Sequence, residues 1–166
     1  MNAMAAPRAL PYQALVDELK VRARVRLNRA RREGQAGATR LRDALHAVAR
    51  EAGFADWEHA RHVLSGQAAL GEDMGGFWHA AGTGILLHIW FSKHAEAQAA
   101  LRQEGGFLLP YRRQCFMVQA PFIEALGLDP QDAAWAALDH DLVAGYGTEA
   151  WRVLSWQRLR ALQTAV

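Results

Sequence analysis

The stretch Leu41–Leu64, LRDALHAVAREAGFADWEHARHVL, organises the first third of the chain. Leu45 and Val48 lie four and seven residues after its first leucine, which places all three on one apolar face of a helix. Gly53 then ends that helix, because glycine tolerates the left-handed conformation found there. Asp56 can accept hydrogen bonds from the first free N–H groups of a second helix. The stretch therefore predicts a helix, a tight turn and a helix.

The turn within this stretch resembles two known patterns. Residues 49–54, AREAGF, resemble the A-x-x-x-G-F turn of AraC-type helix-turn-helix regulators. The longer pattern A-L-x-x-x-A-x-x-x-G-F-x-D-W-x-x-x-x-x-x-L is similar to a small helical segment of bacterial proteins described as glyoxalase-related. The resemblance covers about residues 14–65. The first family implies a helix pair that presents a recognition helix to DNA, and the second implies a helical segment without established chemistry.

The second helix of the pair, Trp57–Leu64, is poorly supplied for reading base edges. Its predicted outward residues are Glu58, His59, Arg61 and His62. Bases in the major groove are read chiefly by Arg, Asn and Gln, and this helix carries one of those. Sequence-specific DNA recognition is therefore the less favoured interpretation of the pair.

Arginines border the buried face of an opening helix that the sequence predicts over Tyr12–Arg32. Its apolar positions recur at helical spacing, with arginines on both flanks. Together with two arginines before and within the next helix, they are the predicted nucleic-acid or anion-binding residues. These are Arg22, Arg26 and Arg29 on one flank, Arg24 and Arg31 on the other, and then Arg40 and Arg42. A solvated helix and a phosphate-binding ridge both stay open as interpretations.

The charge of the chain is unevenly distributed. Residues 1–66 contain twelve Lys and Arg against seven Asp and Glu, whereas residues 67–166 contain seven against ten. A basic first half points to an anionic partner, and arginine suits phosphate recognition. An Arg-rich composition can equally reflect a GC-rich genome.

The length, composition and cysteine content limit the classes of protein to which the chain can belong. The chain has 166 residues, of which 51% are hydrophobic, so it can form a real core. Cys115 is the only cysteine, so no intramolecular disulfide forms and a reducing cytoplasm is the expected compartment. The N-terminus lacks the pattern of a secretory signal, and no apolar run is long enough to span a bilayer. We therefore expect a cytoplasmic protein without a membrane partner.

The second half predicts a small βαβ-like core. A glycine-rich connection, residues 67–84, separates a basic helical domain, residues 1–66, from an α+β domain, residues 85–166. Apolar, β-rich stretches at 85–91 and 107–118 predict two extended regions with a helix between them, and helices after residue 120 would cover the sheet. The predicted fold class is α+β, mostly helical, with an N-terminal three-helix unit.

Histidines and one arginine pair are the remaining polar features. His79, His88 and His94 could converge, but their spacing matches no zinc-ligand signature, so each is expected to be a core or surface histidine. Tyr111 and Arg112 follow a proline and could hold an anion. A second-half pocket is accordingly predicted from His79, His88, Tyr111 and Arg112.

Two further candidates for catalysis are weak. The run Asp139-His140-Asp141 is predicted to be helical, and neighbours in a helix do not share a face. Cys115 is predicted to lie inside a strand, where a free thiol behaves as a small hydrophobe. We therefore predict no catalytic residue, no metal site and no cofactor.

These patterns favour a non-enzymatic bacterial binding or regulatory protein that contacts nucleic acid or another polyanion through its Arg-rich helical domain. One alternative is a protein–protein interaction module of a paired bacterial system, because six tryptophans and an acidic second half suit a partner surface. The other is an enzyme with a pocket near His79, His88 and Arg112.

Overall fold

Seven helices and three strands lie in residues 10–35 and 40–164, the part of the chain that the computed structural model describes. The helices are α1 (Tyr12–Arg32), α2 (Leu41–Glu51), α3 (Trp57–Leu64), α4 (His94–Glu104), α5 (Ala120–Ala125), α6 (Ala133–Ala137) and α7 (Glu149–Thr164). The strands are β1 (Ile89–Phe91), β2 (Phe107–Tyr111) and β3 (Gln114–Val118). The predicted class, a mostly helical α+β fold, is confirmed.

Local sequence explains the three N-terminal helices. In α1 the buried residues fall at helical spacing, so one face packs against α2, α3 and α7. The Asp43 carboxylate accepts the Arg40 N–H at 3.0 Å at the start of α2. The Asp56 carboxylate accepts the His59 N–H at 2.9 Å at the start of α3. Both acids satisfy backbone donors that a helix leaves free at its N-terminus.

The sheet is a split βαβ arrangement with β3 in the centre. Both β1 and β2 pair antiparallel with β3, so they run parallel to each other, and α4 connects them. The prediction of one extended stretch over residues 107–118 was wrong, because Arg112 takes a φ of 51° and the chain forms a hairpin there. The predicted strand at 85–91 is shortened to β1. If the antiparallel register of β1 and β3 continued, residues 85 and 86 would face residues 120 and 121, where α5 has already begun.

The two faces of the sheet are covered differently. One face packs against α4 through a small cluster of Ala97, Leu108 and Cys115. The other face joins the main core, which also contains residues of α1–α3, of the glycine-rich connection and of α7. The division into 1–66, 67–84 and 85–166 stays a prediction, although these stretches share one core. No helix in the described ranges has the length and apolar character needed to cross a membrane.

The prediction that Asp139-His140-Asp141 is helical was wrong. Helix α6 ends at Ala137, and Asp139 and His140 have positive φ angles of 52° and 61°. The chain turns there because the next residues pair with β2: the Leu108 N–H donates to the His140 carbonyl at 2.8 Å. Asp141 is thereby buried, with 4% of its surface exposed.

Candidate functional site

One arginine flank of α1 is neutralised by the chain's own carboxylates. The three pairs are Arg22 with Glu18 at 2.8 Å, Arg26 with Glu51, and Arg29 with Glu33 at 3.0 Å. The Arg22 side chain also donates to the carbonyl oxygen of Leu159 in α7, so it joins two helices. This flank therefore contributes little free positive charge.

The remaining arginines of α1 and α2 are exposed, and within the described ranges no carboxylate lies within 4.0 Å of them. They are Arg24, Arg31, Arg32, Arg40, Arg42 and Arg50. Arg24 and Arg31 are seven residues apart and lie on the same side of α1. Arg42 has only a 3.4 Å contact between its Nε and His46 Nε2. These six side chains are defined here as the basic surface.

Every carboxylate of residues 1–66 is already engaged. Asp43 and Asp56 cap helices, as described above. The other five form ion pairs: Asp17 with Lys20, Glu18 with Arg22, Glu33 with Arg29, Glu51 with Arg26, and Glu58 with Arg61. Within the described ranges none of these acids lies within 4.0 Å of the basic surface, and Asp17 interacts with Arg24 at longer range.

The structure brings three of the four predicted pocket residues together. His79 lies 5.9 Å from His88 and 5.2 Å from Tyr111, between ring centroids. Both histidines pack on Phe116 of β3. Arg112 instead lies in the exposed hairpin turn, with its guanidinium carbon 5.4 Å from the centroid of the Tyr111 ring.

The environment of His79 disfavours its charged form. Burial, followed by repulsion from His88 and Arg158, lowers the pKa of His79 below its ordinary value. The His88 Nε2 atom is buried and has no hydrogen-bond partner among the described residues. His94 lies apart from them, and no group of three metal-ligating side chains is found in the described ranges.

His94 belongs to a different cleft. Its Nε2 lies 2.9 Å from the Asp141 carboxylate, beside a mainly apolar cavity of about 390 Å³ whose lining includes Met74 and Tyr146. Burial and then the Asp141 charge raise the pKa of the nearby Cys115 thiol to about 11. A protonated, buried thiol is a poor nucleophile, so no cysteine chemistry is expected there.

Tryptophans mainly build the core. Trp78, Trp135 and Trp151 are fully buried. Trp90 is 44% exposed on β1, and Leu87 is 69% exposed just before it. Trp57 and Trp156 are half-buried, so tryptophan contributes little fully exposed surface. Other exposed apolar side chains are spread over the fold, as at Val21 and Val25 of α1 and at Leu70.

A large cleft, about 850 Å³, contains a residue that the sequence did not mark as functional. Its lining includes His79, Arg160 and Arg158, and the Arg158 side chain is only 6% exposed. The guanidinium donates to three carbonyl oxygens, those of Phe77 at 3.0 Å, Leu126 at 2.9 Å and His79 at 3.2 Å.

A sequence signal for this residue exists. Arg158 lies seven residues after Trp151 and four after Leu154, so it falls on the apolar face of α7. An arginine at such a position is buried at a cost, since burial lowers its pKa to about 10. A cation on the apolar face of a helix thus indicates a buried polar site.

Comparison of the chain with protein-family models, curated proteins and solved structures finds no match. The resemblances over residues 14–65, to helix-turn-helix regulators and to a glyoxalase-related segment, stay predictions. An argument about function therefore depends on the geometry and charge of the described residues.

Proposed function

We propose that the N-terminal helices bind nucleic acid through the basic surface, in a cytoplasmic protein. The observation that carries this proposal is the imbalance of charge. All seven carboxylates of residues 1–66 are engaged, while six exposed guanidinium groups have none. Such cations bind phosphates by releasing condensed counterions.

The position of two of these arginines adds to the proposal. Arg40 precedes α2 and Arg42 lies in its first turn, at the positive end of the helix dipole. Cations are unfavourable at this end, whereas a phosphate would be stabilised by both side chains and by the free N–H groups. The Asp43 carboxylate, which caps α2 in the same turn, offsets part of the unfavourable interaction between these cations and the helix dipole.

The outward side chains of helix α3 are poorly placed to read bases, which favours contacts of the basic surface with the phosphate backbone of the nucleic acid. Arg61 of this helix is paired with Glu58 at 2.7 Å. His59 Nε2 lies 2.6 Å from the Asp73 carbonyl oxygen, and His62 Nε2 lies 2.7 Å from the Glu72 carboxylate. Since its outward polar side chains are already engaged, we infer binding with little sequence preference.

The test is a salt titration with labelled duplex DNA and labelled RNA. We expect binding at low salt with a steep dependence on salt concentration. The variant Arg24→Gln/Arg31→Gln should weaken binding and reduce the slope of log K against log salt by about 0.9 for each phosphate that the variant no longer neutralises. The variant Arg40→Gln/Arg42→Gln should act in the same direction.

A matched control removes the same charge elsewhere. Arg102 and Arg113 are exposed residues of the second half, so Arg102→Gln/Arg113→Gln lowers the net charge equally. We expect this variant to bind as the unmodified protein does. Absence of binding at low salt, or an equal loss in the control, would contradict the proposal.

A further inference from the structure

We propose that the large cleft binds a small organic carboxylate, with Arg158 as the residue that receives the carboxylate group. Four segments line the cleft. They are the turn after α2, part of the glycine-rich connection within residues 76–81, the end of α5 and the last turns of α7. It is separate from the basic surface, and this inference does not depend on nucleic-acid binding.

The first argument is a buried cation without a counter-ion. Arg158 is 6% exposed, and within the described ranges no carboxylate lies within 4.0 Å of its guanidinium group. Burying a charge is costly unless an opposite charge accompanies it. The three carbonyl oxygens that it contacts carry only partial charges, so the cost is only partly offset.

The second argument is the count of hydrogen-bond donors. A guanidinium group has five N–H donors. Nε uses its single donor on the Phe77 carbonyl, and each terminal nitrogen uses one on the Leu126 or the His79 carbonyl. Within the described ranges, one N–H on each terminal nitrogen has no acceptor, and two N–H groups are the number that the two oxygens of a carboxylate can accept.

The third argument is the character of the walls. A volume of about 850 Å³ lies in the range of small-molecule sites. About half of the lining surface is apolar, as at Ala80, Ala125 and Leu126, and Gln157 and Gln163 add amide groups. Such walls suit an organic body of modest size joined to the anionic end.

The fourth argument concerns charge. Glu51 is the acid of the lining, and it is paired with Arg26. The cleft therefore keeps the positive charges of Arg158 and the exposed Arg160. His79 adds no second charge at neutral pH, because its surroundings lower its pKa. Arg160 is solvated, so Arg158 is the one desolvated cation of the lining, and a single buried charge matches a carboxylate better than a phosphate monoester, which carries nearly two.

The test follows the Nε–H resonance of Arg158 in ¹⁵N-labelled protein during titration with benzoate, and separately with inorganic phosphate at matched ionic strength. We expect benzoate to shift the resonance in a saturable way and phosphate to leave it in place. The variant Ala81→Phe fills the cleft from an exposed position without removing Arg158. It should raise the dissociation constant for benzoate at least about tenfold.

The matched control is Ala136→Phe, which adds the same ring at an exposed position of α6 outside the cleft. It should bind benzoate as the unmodified protein does. Absence of a benzoate shift, or an unchanged dissociation constant in Ala81→Phe, would overturn the site. Equal shifts from phosphate and benzoate would overturn its assignment to a carboxylate. Because Arg158 is kept in both variants, loss of folding on its removal does not enter the test.

Discussion

The backbones of Gly53 and Gly76 lie in direct contact. The Gly76 N–H donates to the Gly53 carbonyl oxygen at 2.7 Å. Gly53 has a φ of 96°, and a Cβ atom built on it would lie 2.6 Å from the carbonyl carbon of Gly76. The turn between α2 and α3 is thereby fixed to the glycine-rich connection, just before Phe77 enters the core.

Substitution of Gly53 by alanine should therefore be strongly destabilising. The new methyl group meets main-chain atoms, which cannot move aside as a flexible side chain would, and the left-handed conformation adds strain. We expect Gly53→Ala to lower the free energy of unfolding by about 3 kcal/mol or more. Urea denaturation followed by circular dichroism measures this change.

Gly34→Ala separates the two causes. Gly34 also has a positive φ, 78°, but no atom of the described residues lies within 4 Å of a Cβ built there. It should cost only the conformational penalty, about 1 kcal/mol. Equal losses in the two variants would mean that the contact with Gly76 contributes nothing.

Local signals in the sequence predict the helices well, and long-range pairing explains what they miss. The periodicity of α1 predicts its range, Tyr12–Arg32, and the Asp56 cap predicts the start of α3. The hairpin at Arg112 was missed because the stretch is apolar on both sides of the turn. The end of α6 was missed because the pairing of Asp141 with β2 overrides a helical pattern.

In the candidate sites too, local sequence patterns identify residues but not their long-range partners. Sequence spacing identified the arginines on both flanks of α1, but it could not tell that Glu51, twenty-five residues from Arg26, would pair with one of them. It placed His79 and His88 in one region because His79 precedes the predicted strand at 85–91 and His88 lies inside that strand. It did not mark Arg158 as functional, because nothing local shows that Phe77 and His79 supply carbonyl acceptors.

The buried carboxylate of Asp141 provides a second prediction. Its Oδ1 accepts the N–H groups of Val143 and Ala144, and its Oδ2 accepts from His94 and Gln98. In Asp141→Asn an amide NH₂ would face donors at one of these positions. We expect a loss of about 3 kcal/mol in the free energy of unfolding, as for the loss of a buried charge partner.

Asp139→Asn is the corresponding control, because Asp139 is exposed and has a left-handed backbone that asparagine tolerates. Its free energy of unfolding should change by less than about 0.5 kcal/mol. A loss in Asp141→Asn no larger than that of the control would show that the buried network adds no stability. Thermal and urea denaturation at pH 7 measure both variants.

Cys115 should react slowly with thiol reagents in the folded protein. Its pKa of about 11 leaves little thiolate at pH 8, about a hundredfold less than an ordinary cysteine provides. We expect the rate with iodoacetamide to fall at least about hundredfold relative to the urea-unfolded chain. Mass spectrometry of quenched samples gives both rates, and equal rates would contradict the buried, protonated thiol.

His79 should make the fold less stable as the solution becomes mildly acidic. Burial, His88 and Arg158 lower its pKa in the folded state, whereas the unfolded chain has the ordinary value of 6.5. Below about pH 6.5 the unfolded chain therefore binds the proton more readily, and stability is lost as the pH falls through this value and the lower folded pKa. Above pH 6.5 the neutral ring is present in both states and the contribution is complete.

Two measurements test this linkage. The NMR titration of the His79 ring should have its midpoint below 6.5. Urea denaturation at pH 7.5 and pH 5.0 should show that the unmodified protein loses more stability than His79→Gln, because glutamine does not titrate and the other six histidines are retained. The aromatic rings that pack on His79, those of Tyr111, Phe116 and Phe122, add no charge to its surroundings. The difference in lost stability between the two proteins therefore measures the effect of burial and of repulsion from His88 and Arg158. Equal losses in the two proteins would show that His79 binds its proton as easily in the core as in the unfolded chain.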